Sequence, residues 1–187
     1  MVKSVRWWLA LGLAFGVYAL SEAADGKLKE NILKLAAAIE KKDDKSVPKL
    51  VTAITGDKDA EIDILMVPFK LRNKEGFGVG DKAGLVRRDG IEATIQDLAK
   101  KAPSDDEAKE QGDALAKAGY VSAAIAKVIV PKNPDKKKEK LWKKYCTEYE
   151  KASLEFAAAG ASKNAAMIHK AATKLDNVCI SCHNDFR

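Results

Sequence analysis

A chain of 187 residues with 33 Lys plus Arg against 27 Asp plus Glu carries a formal charge of +6, and 47% of its residues are apolar. An apolar content near the globular average argues against disorder, and 3 cysteines cannot staple a chain of this length. Apart from the first twenty residues, no uncharged apolar run approaches the roughly 18 needed to span a bilayer, so the rest is expected to be soluble.

At the N-terminus, Lys3 and Arg6 precede an uncharged apolar run from Trp7 to Leu20, and Ser21-Glu22-Ala23 offers small residues where a signal peptidase reads. This is the pattern of a secretory signal, residues 1–23. Cleavage after Ala23 would leave 164 residues, 187 less 23, with 31 basic against 26 acidic groups and a charge of +5. No cysteine lies nearby to take a lipid. The expected destination is a bacterial periplasm, and the export signal is the one membrane contact expected. An oxidising compartment normally pairs thiols, so an odd number of cysteines needs something else to occupy at least one.

Apolar spacings of three and four recur through the rest of the chain, which predicts a nearly all-helical protein. Ile32, Leu35, Ala36 and Ile39 share a stripe between Lys27 and Lys42, and Leu50, Val51 and Ile54 follow Pro48, together suggesting a helical hairpin. A short apolar element between Asp59 and Phe69 ends near Pro68. Lys70 to Gly90, with five glycines, is expected to be a loop. A modest helix from Gly90 to Lys101 stops before Pro103.

Ser104, followed by Asp105, Asp106 and Glu107, is an N-cap for a long helix with the stripe Leu115, Ala118, Ser122, Ile125 and Ile129, ended by Pro131. Pro134 and Asp135 open the next, with Leu141, Tyr145, Tyr149, Ala152 and Phe156 on one face and Gly160 as its expected stop. Ser162 is expected to cap the last helix, whose stripe is Ile168, Ala172, Leu175, Cys179, Cys182 and Phe186. Short connections make consecutive helices antiparallel neighbours, and stripes of this width bury best in a bundle.

Near the end of the chain stands Cys179-Ile180-Ser181-Cys182-His183, a C-x-x-C-H sequence, which reads as c-type haem attachment. Residues three apart on a helix point to one side, so both thiols can form thioethers with the two haem vinyl groups while the adjacent imidazole turns onto iron. Composition alone predicts roughly 0.0005 chance occurrences of the motif. Zinc would need Cys179, Cys182, His169 and Cys146 gathered, and no second C-x-x-C exists to supply the usual paired cluster. A thioredoxin-like redox pair would need a strand before the motif and a helix after it, whereas only Asn184 to Arg187 follow.

Residues 104–187 resemble cytochrome c prime, the class II c-type cytochromes. The likeness rests on Trp142 early in the penultimate helix, Phe156 with the small-residue run Ala157 to Ala161, and Val178 before Cys-Ile-Ser-Cys-His-Asn-Asp-Phe-Arg. The family's typical ending is Cys-x-x-Cys-His-x-x-(Phe or Tyr)-Arg. The resemblance implies a four-helix-bundle c-type cytochrome binding one covalent haem c with its iron. Cys179 and Cys182 would hold the haem, His183 would be the proximal iron ligand, and Trp142 and Arg187 would lie in the haem surroundings. Residues 24–103, with their short helices and Gly-rich loop, elaborate on the single first helix the family would place there; 24–187 are expected to form one helical haem-binding domain.

The sixth iron position separates two functions. His169 and Met167 lie 14 and 16 residues before His183, roughly 21 and 24 Å along one helix, too far to reach the same iron. Cys146, partway along the neighbouring helix, reads as a small buried hydrophobe. Met66 remains as a distal ligand or as a core methionine. Low-spin relatives of cytochrome c prime use a first-helix Met, whereas cytochrome c prime leaves the position open. With Met66 bound, the expected function is a periplasmic monohaem cytochrome carrying electrons between redox partners. With an open site, the alternative is a protein that binds nitric oxide or carbon monoxide.

Neither is an enzyme: no Ser/His/Asp arrangement or acid/base pair is present, and no usable His can be placed for a peroxidase. Lys132, Lys136, Lys137, Lys138, Lys140, Lys143 and Lys144 crowd the start of the penultimate helix, at the haem end, where they would steer an acidic redox partner or pair with haem propionates. Asp135, Glu139 and Glu148 interrupt that charge and no stacking aromatics interleave it, which argues against nucleic acid. A second copy of the chain stays open as a partner. Gly76 to Gly80 lacks the strand and the Lys-Ser or Lys-Thr of a nucleotide cradle, and is expected instead to be a flexible cover over part of the haem. His169 is expected to be exposed.

Overall fold

A computed structural model describes residues 26–186, so the expected signal segment 1–23 and Arg187 lie outside the described residues. The described chain is all-α, with no strand. Helix α1 covers residues 26–40 and buries Leu28, Ile32 and Leu35 at helical spacing. Lys42, with φ of 54°, turns the chain, and the Asp43 carboxylate accepts from the Ser46 amide at 3.1 Å as α2, Ser46–Thr55, begins. One turn of helix, α3 (Ile62–Leu65), runs into a 3₁₀ turn at Val67–Phe69 that buries Pro68.

Residues 70–90 form a loop, as expected, but an anchored one. Leu71 and Gly90 pair across its base as an isolated antiparallel bridge. Arg72 Nε donates to Asp89 Oδ2 at 2.7 Å, its Nη2 donates to the Gly80 carbonyl at 2.7 Å, and the Val79 amide donates to Asp89 Oδ1 at 2.8 Å. Gly78 and Gly80 sit at φ of 71° and 79°. A Cβ on Gly78 would collide with the Arg72 guanidinium. Burial would raise the Asp89 pKa, but the Arg72 and Val79 hydrogen bonds outweigh it and hold the carboxyl below its ordinary value.

Helix α4, Ile91–Lys100, follows Gly90. Ser104 then starts α5, Asp105–Ile129, with a complete capping box: the Glu107 amide donates to Ser104 Oγ at 3.2 Å, and the Ser104 amide donates to the Glu107 carboxylate at 2.7 Å. Asp135 caps a 3₁₀ turn at Lys136–Lys138 that leads into α6, Glu139–Ser162. Gly160 does not stop α6. It lies inside the helix, where an added Cβ would come within 2.6 Å of the Ala116 amide nitrogen of α5. The helix instead ends at Lys163, φ 54°.

Nor does Ser162 cap α7, Ala165–Phe186: Asn164 does, its Oδ1 accepting from the Met167 amide at 2.9 Å.

Helix α5 packs along α6, α6 against α7, and α7 against the short α4, while α2 and α3 lie on α5. The α5–α6 contact is made of small residues. A Cβ on Gly112 would meet the Gly160 carbonyl oxygen at 2.6 Å, and one on Gly119 would meet the Ala157 nitrogen at 2.6 Å. That places the two backbones nearly in contact along the first half of α5 and the last half of α6. Toward the other end the buried side chains grow to Ile125, Ile129, Trp142 and Tyr149. One contiguous apolar core runs from Leu28 to Leu175. Of the expected α6 stripe, Tyr149, Ala152 and Phe156 are buried, but at the start of the helix Trp142 and Cys146 are buried where Leu141 and Tyr145 are only partly so. No described helix is long and apolar enough to cross a membrane.

Candidate functional site

The start of α6 and the end of α7 meet at the end of the molecule away from the small-residue contact. Several interactions hold them together. Trp142 packs edge-on against Phe186 with ring centroids 5.0 Å apart, and Tyr145 does so at 6.3 Å. Tyr145 Oη donates to Asp185 Oδ2 at 2.6 Å, and Lys138 Nζ donates to the Asp185 carbonyl at 2.8 Å while lying 5.4 Å from the Phe186 ring centre. The hydrogen bond to Asp185 pushes the Tyr145 phenol up to about 12. Trp142 Nε1 donates to the carbonyls of Ile129 and Val130 at 3.1 and 3.0 Å, tying the end of α5 to the same corner.

Beside this corner opens a cavity of about 570 Å³, within the roughly 300–1,000 Å³ of small-molecule and cofactor sites. One wall is α7, with Val178, Cys179, Cys182, His183 and Phe186. A second is α6, with Trp142, Cys146 and Tyr149. The remaining wall comes from Ile62, Met66 and Phe69 around α3 and from Glu92, Ile95 and Gln96 of α4. Cys179, Cys182, His183, Met66 and Trp142, all singled out in the sequence, thus border one space; Arg187 lies outside the described residues. The α4 residues were not foreseen. Their spacing of three and four marks a helix face, but nothing in the sequence says which helix α4 would meet.

All three thiols are free. Burial pushes Cys179 up to about 12, helped by the nearby Asp176 and Glu92 carboxylates. Burial likewise takes Cys146 up to about 12 and raises Cys182, which also feels Asp185. Thiols held protonated in this way are poor redox nucleophiles, which need a lowered pKa. Cys146 is 3% exposed, as a small core hydrophobe would be.

His169 is not exposed as expected. It is half-buried, and its Nδ1 lies 2.7 Å from the Leu98 carbonyl oxygen near the end of α4, with Thr173 Oγ1 donating to the Ala99 carbonyl at 3.4 Å. The cause is the α4–α7 packing, which turns unpaired carbonyls of the α4 terminus toward α7. Met167 is 51% exposed and lies off the cavity. The loop is no cover either: of residues 70–90, only Lys70 borders the cavity. Gln111 donates to the Leu85 carbonyl at 3.2 Å and Lys117 pairs with Asp81 at 3.5 Å, which lays the loop on the first half of α5.

Among the described residues, no group of three or more His, Cys, Asp or Glu side chains is gathered to hold a metal ion. No family model, no curated protein and no solved structure matches the chain.

Proposed function

We propose that the protein is a periplasmic monohaem c-type cytochrome that carries electrons between redox partners, with haem held in the cavity by Cys179 and Cys182 and its iron bound by His183 and Met66. One observation carries the reading: of the imidazole and thioether side chains among the described residues, only His183 and Met66 border the cavity, and both motif thiols border it too. The cavity fits the group. Its volume suits a cofactor, its walls are largely apolar, and Cys179, Cys182, His183 and Met66 on those walls would hold the group.

Haem supplies a one-electron ferric/ferrous couple. Cys179 and Cys182 would hold the group covalently through their sulfurs, and His183 and Met66 would hold its iron. Trp142 and Phe186 would exclude water from one side of the group, and Ile95 and Phe69 from another. A neutral imidazole with a thioether raises the reduction potential and leaves coordination unchanged between redox states, which suits electron transfer.

A second reading is an open iron site binding nitric oxide or carbon monoxide. It draws on the apolar Ile62, Phe69 and Ile95 beside Met66, which would line such a pocket without ligating.

The optical spectrum of the purified holoprotein, ferric and reduced, with and without carbon monoxide, tests both. A low-spin spectrum indifferent to the gas, turning high-spin and gas-sensitive in Met66→Ala, is the expected result. A wild-type spectrum that shifts with carbon monoxide would put the open-site reading first. Cys179→Ser with Cys182→Ser should release all haem into acid-acetone, and retained haem would overturn covalent attachment at this motif. His183→Ala should alter the ferrous spectrum; an unchanged one would remove the proximal ligand.

A further inference from the structure

We propose that the start of α6, with the adjoining ends of α5 and α7, is the docking face for an acidic electron-transfer protein; this rests on the electron-carrier reading above. Residues 132–144 hold seven lysines and only Asp135 and Glu139 as acids, a net charge of +5 against +6 for the whole chain. The rest of the chain therefore sums to +1, and most of the net charge sits in this one segment.

Not all seven lysines are available. Lys138 is held by the Asp185 carbonyl and Phe186, Lys143 pairs with Glu139, and Lys144 lies 3.9 Å from Glu148. Lys132, Lys136, Lys137 and Lys140 have no ion-pair partner among the described residues, and the last three are exposed. The interactions of Trp142, Tyr145 and Lys138 with α7 and the end of α5 place them at the same end as the cavity.

Two large exposed apolar side chains lie at this end as well. Val130, 37% exposed, offers its carbonyl to Trp142, and Ile180, 49% exposed, borders the cavity. A small apolar contact rimmed by unpaired cations is the makeup of a transient interface. A clustered charge of one sign accelerates encounter with an opposite surface by about 10–1,000-fold and orients it. Here it would bring the acidic partner to the part of the cavity bordered by Pro134, Ile180 and Asn184. An anionic lipid surface fits less well, since a membrane-lying helix presents a continuous apolar face, whereas the exposed face formed by the 3₁₀ turn at Lys136 and Lys137 and by the start of α6 at Lys140, Lys143 and Lys144 is charged.

The test uses the ferric holoprotein and, as probe, a reduced plant-type ferredoxin, a small acidic electron donor, mixed by stopped flow at low and high salt. The second-order rate should fall about tenfold or more with salt. At low salt it should also fall at least about tenfold in Lys136→Glu/Lys137→Glu/Lys140→Glu. The same charge change at the opposite end, in Lys101→Glu/Lys109→Glu/Lys170→Glu, should leave it within about twofold. Equal slowing by both triple variants, or a rate indifferent to salt, would overturn the proposal. So would a shifted reduction potential with an unchanged rate, which would assign the lysines to haem propionates. Pelleting with vesicles rich in phosphatidylserine, lost in the first variant, together with an unchanged ferredoxin rate, would assign the face to lipid and overturn it. If the purified chain carries no thioether-bound haem, it is the electron-carrier reading that has failed.

Discussion

Tyr145 shares with Lys138 and Trp142 the work of holding the last turn of α7. Its hydroxyl reaches Asp185, two residues beyond His183, so removing the hydroxyl while keeping the ring leaves the edge-on contact with Phe186 and deletes only the hydrogen bond to the Asp185 carboxylate. Tyr145→Phe should lower the melting temperature, and the effect should depend on pH with a definite sign. The folded phenol keeps its proton to about pH 12, against an ordinary value of 10.0. A group whose pKa is raised on folding stabilises fully below its unfolded value and loses that contribution as pH climbs through the folded one. The gap between wild type and variant should therefore be constant below pH 10 and close toward 12, as thermal melts across that range would show. A gap independent of pH would mean that the hydroxyl does something other than donate to Asp185.

At the scale of elements, the small-residue contact between α5 and α6 and the Arg72–Asp89 anchor of the loop make separate predictions. Gly119→Ala puts a methyl within 2.6 Å of the Ala157 backbone nitrogen, which cannot move as a side-chain tip can, so the helices must part. The expected loss is about 1–3 kcal/mol in denaturant unfolding. Gly26→Ala, with nothing within 4 Å of the added carbon, should be neutral or slightly stabilising.

Arg72→Ala should cost about 1–2 kcal/mol, a figure reduced for the partial exposure of the guanidinium. Because the Asp89 pKa is depressed on folding, its contribution is present above the ordinary 3.8 and is lost as pH falls through the lower folded value. The protection of the Val79 amide, the factor by which its exchange is slowed relative to a free peptide at the same pH, should fall across that acid window in the wild type and already be low in Asp89→Ala.

These elements also show what sequence could and could not convey. The cap of α5 was legible because Ser104 and Glu107 satisfy one another locally. Gly160 read as a stop because a lone glycine in a helical pattern looks the same whether it breaks the helix or admits a neighbour. Only the presence of Gly112 and Ala116 across the gap distinguishes the two.

For the molecule as a whole, the motif was legible down to the residue while its surroundings were not. Cys179, Cys182 and His183 are close in sequence and need no fold to be grouped. Met66 lies over a hundred residues away, and sequence could name it only because few side chains of its chemistry exist in the chain. That Ile95 and Gln96 share its cavity depends on α4 docking against α7, a contact made through His169 and Thr173, whose roles show in no local pattern.

The near-contact of α5 and α6 bears on the order of assembly. Those two helices are joined by a short connection, and their closest approach, through Gly112, Gly119, Ala157 and Gly160, involves no residue of the cavity. The loops these contacts close are about as long as the 40 positions between Tyr145 and Asp185, but the α5–α6 contact is complete in the chain before α7 begins, whereas Tyr145 must wait for the end of α7. The helical pair can thus settle while the final turns of α7 are still undocked. During that interval the two thiols of the motif would face solvent rather than the core, open to chemistry that the finished molecule would hide.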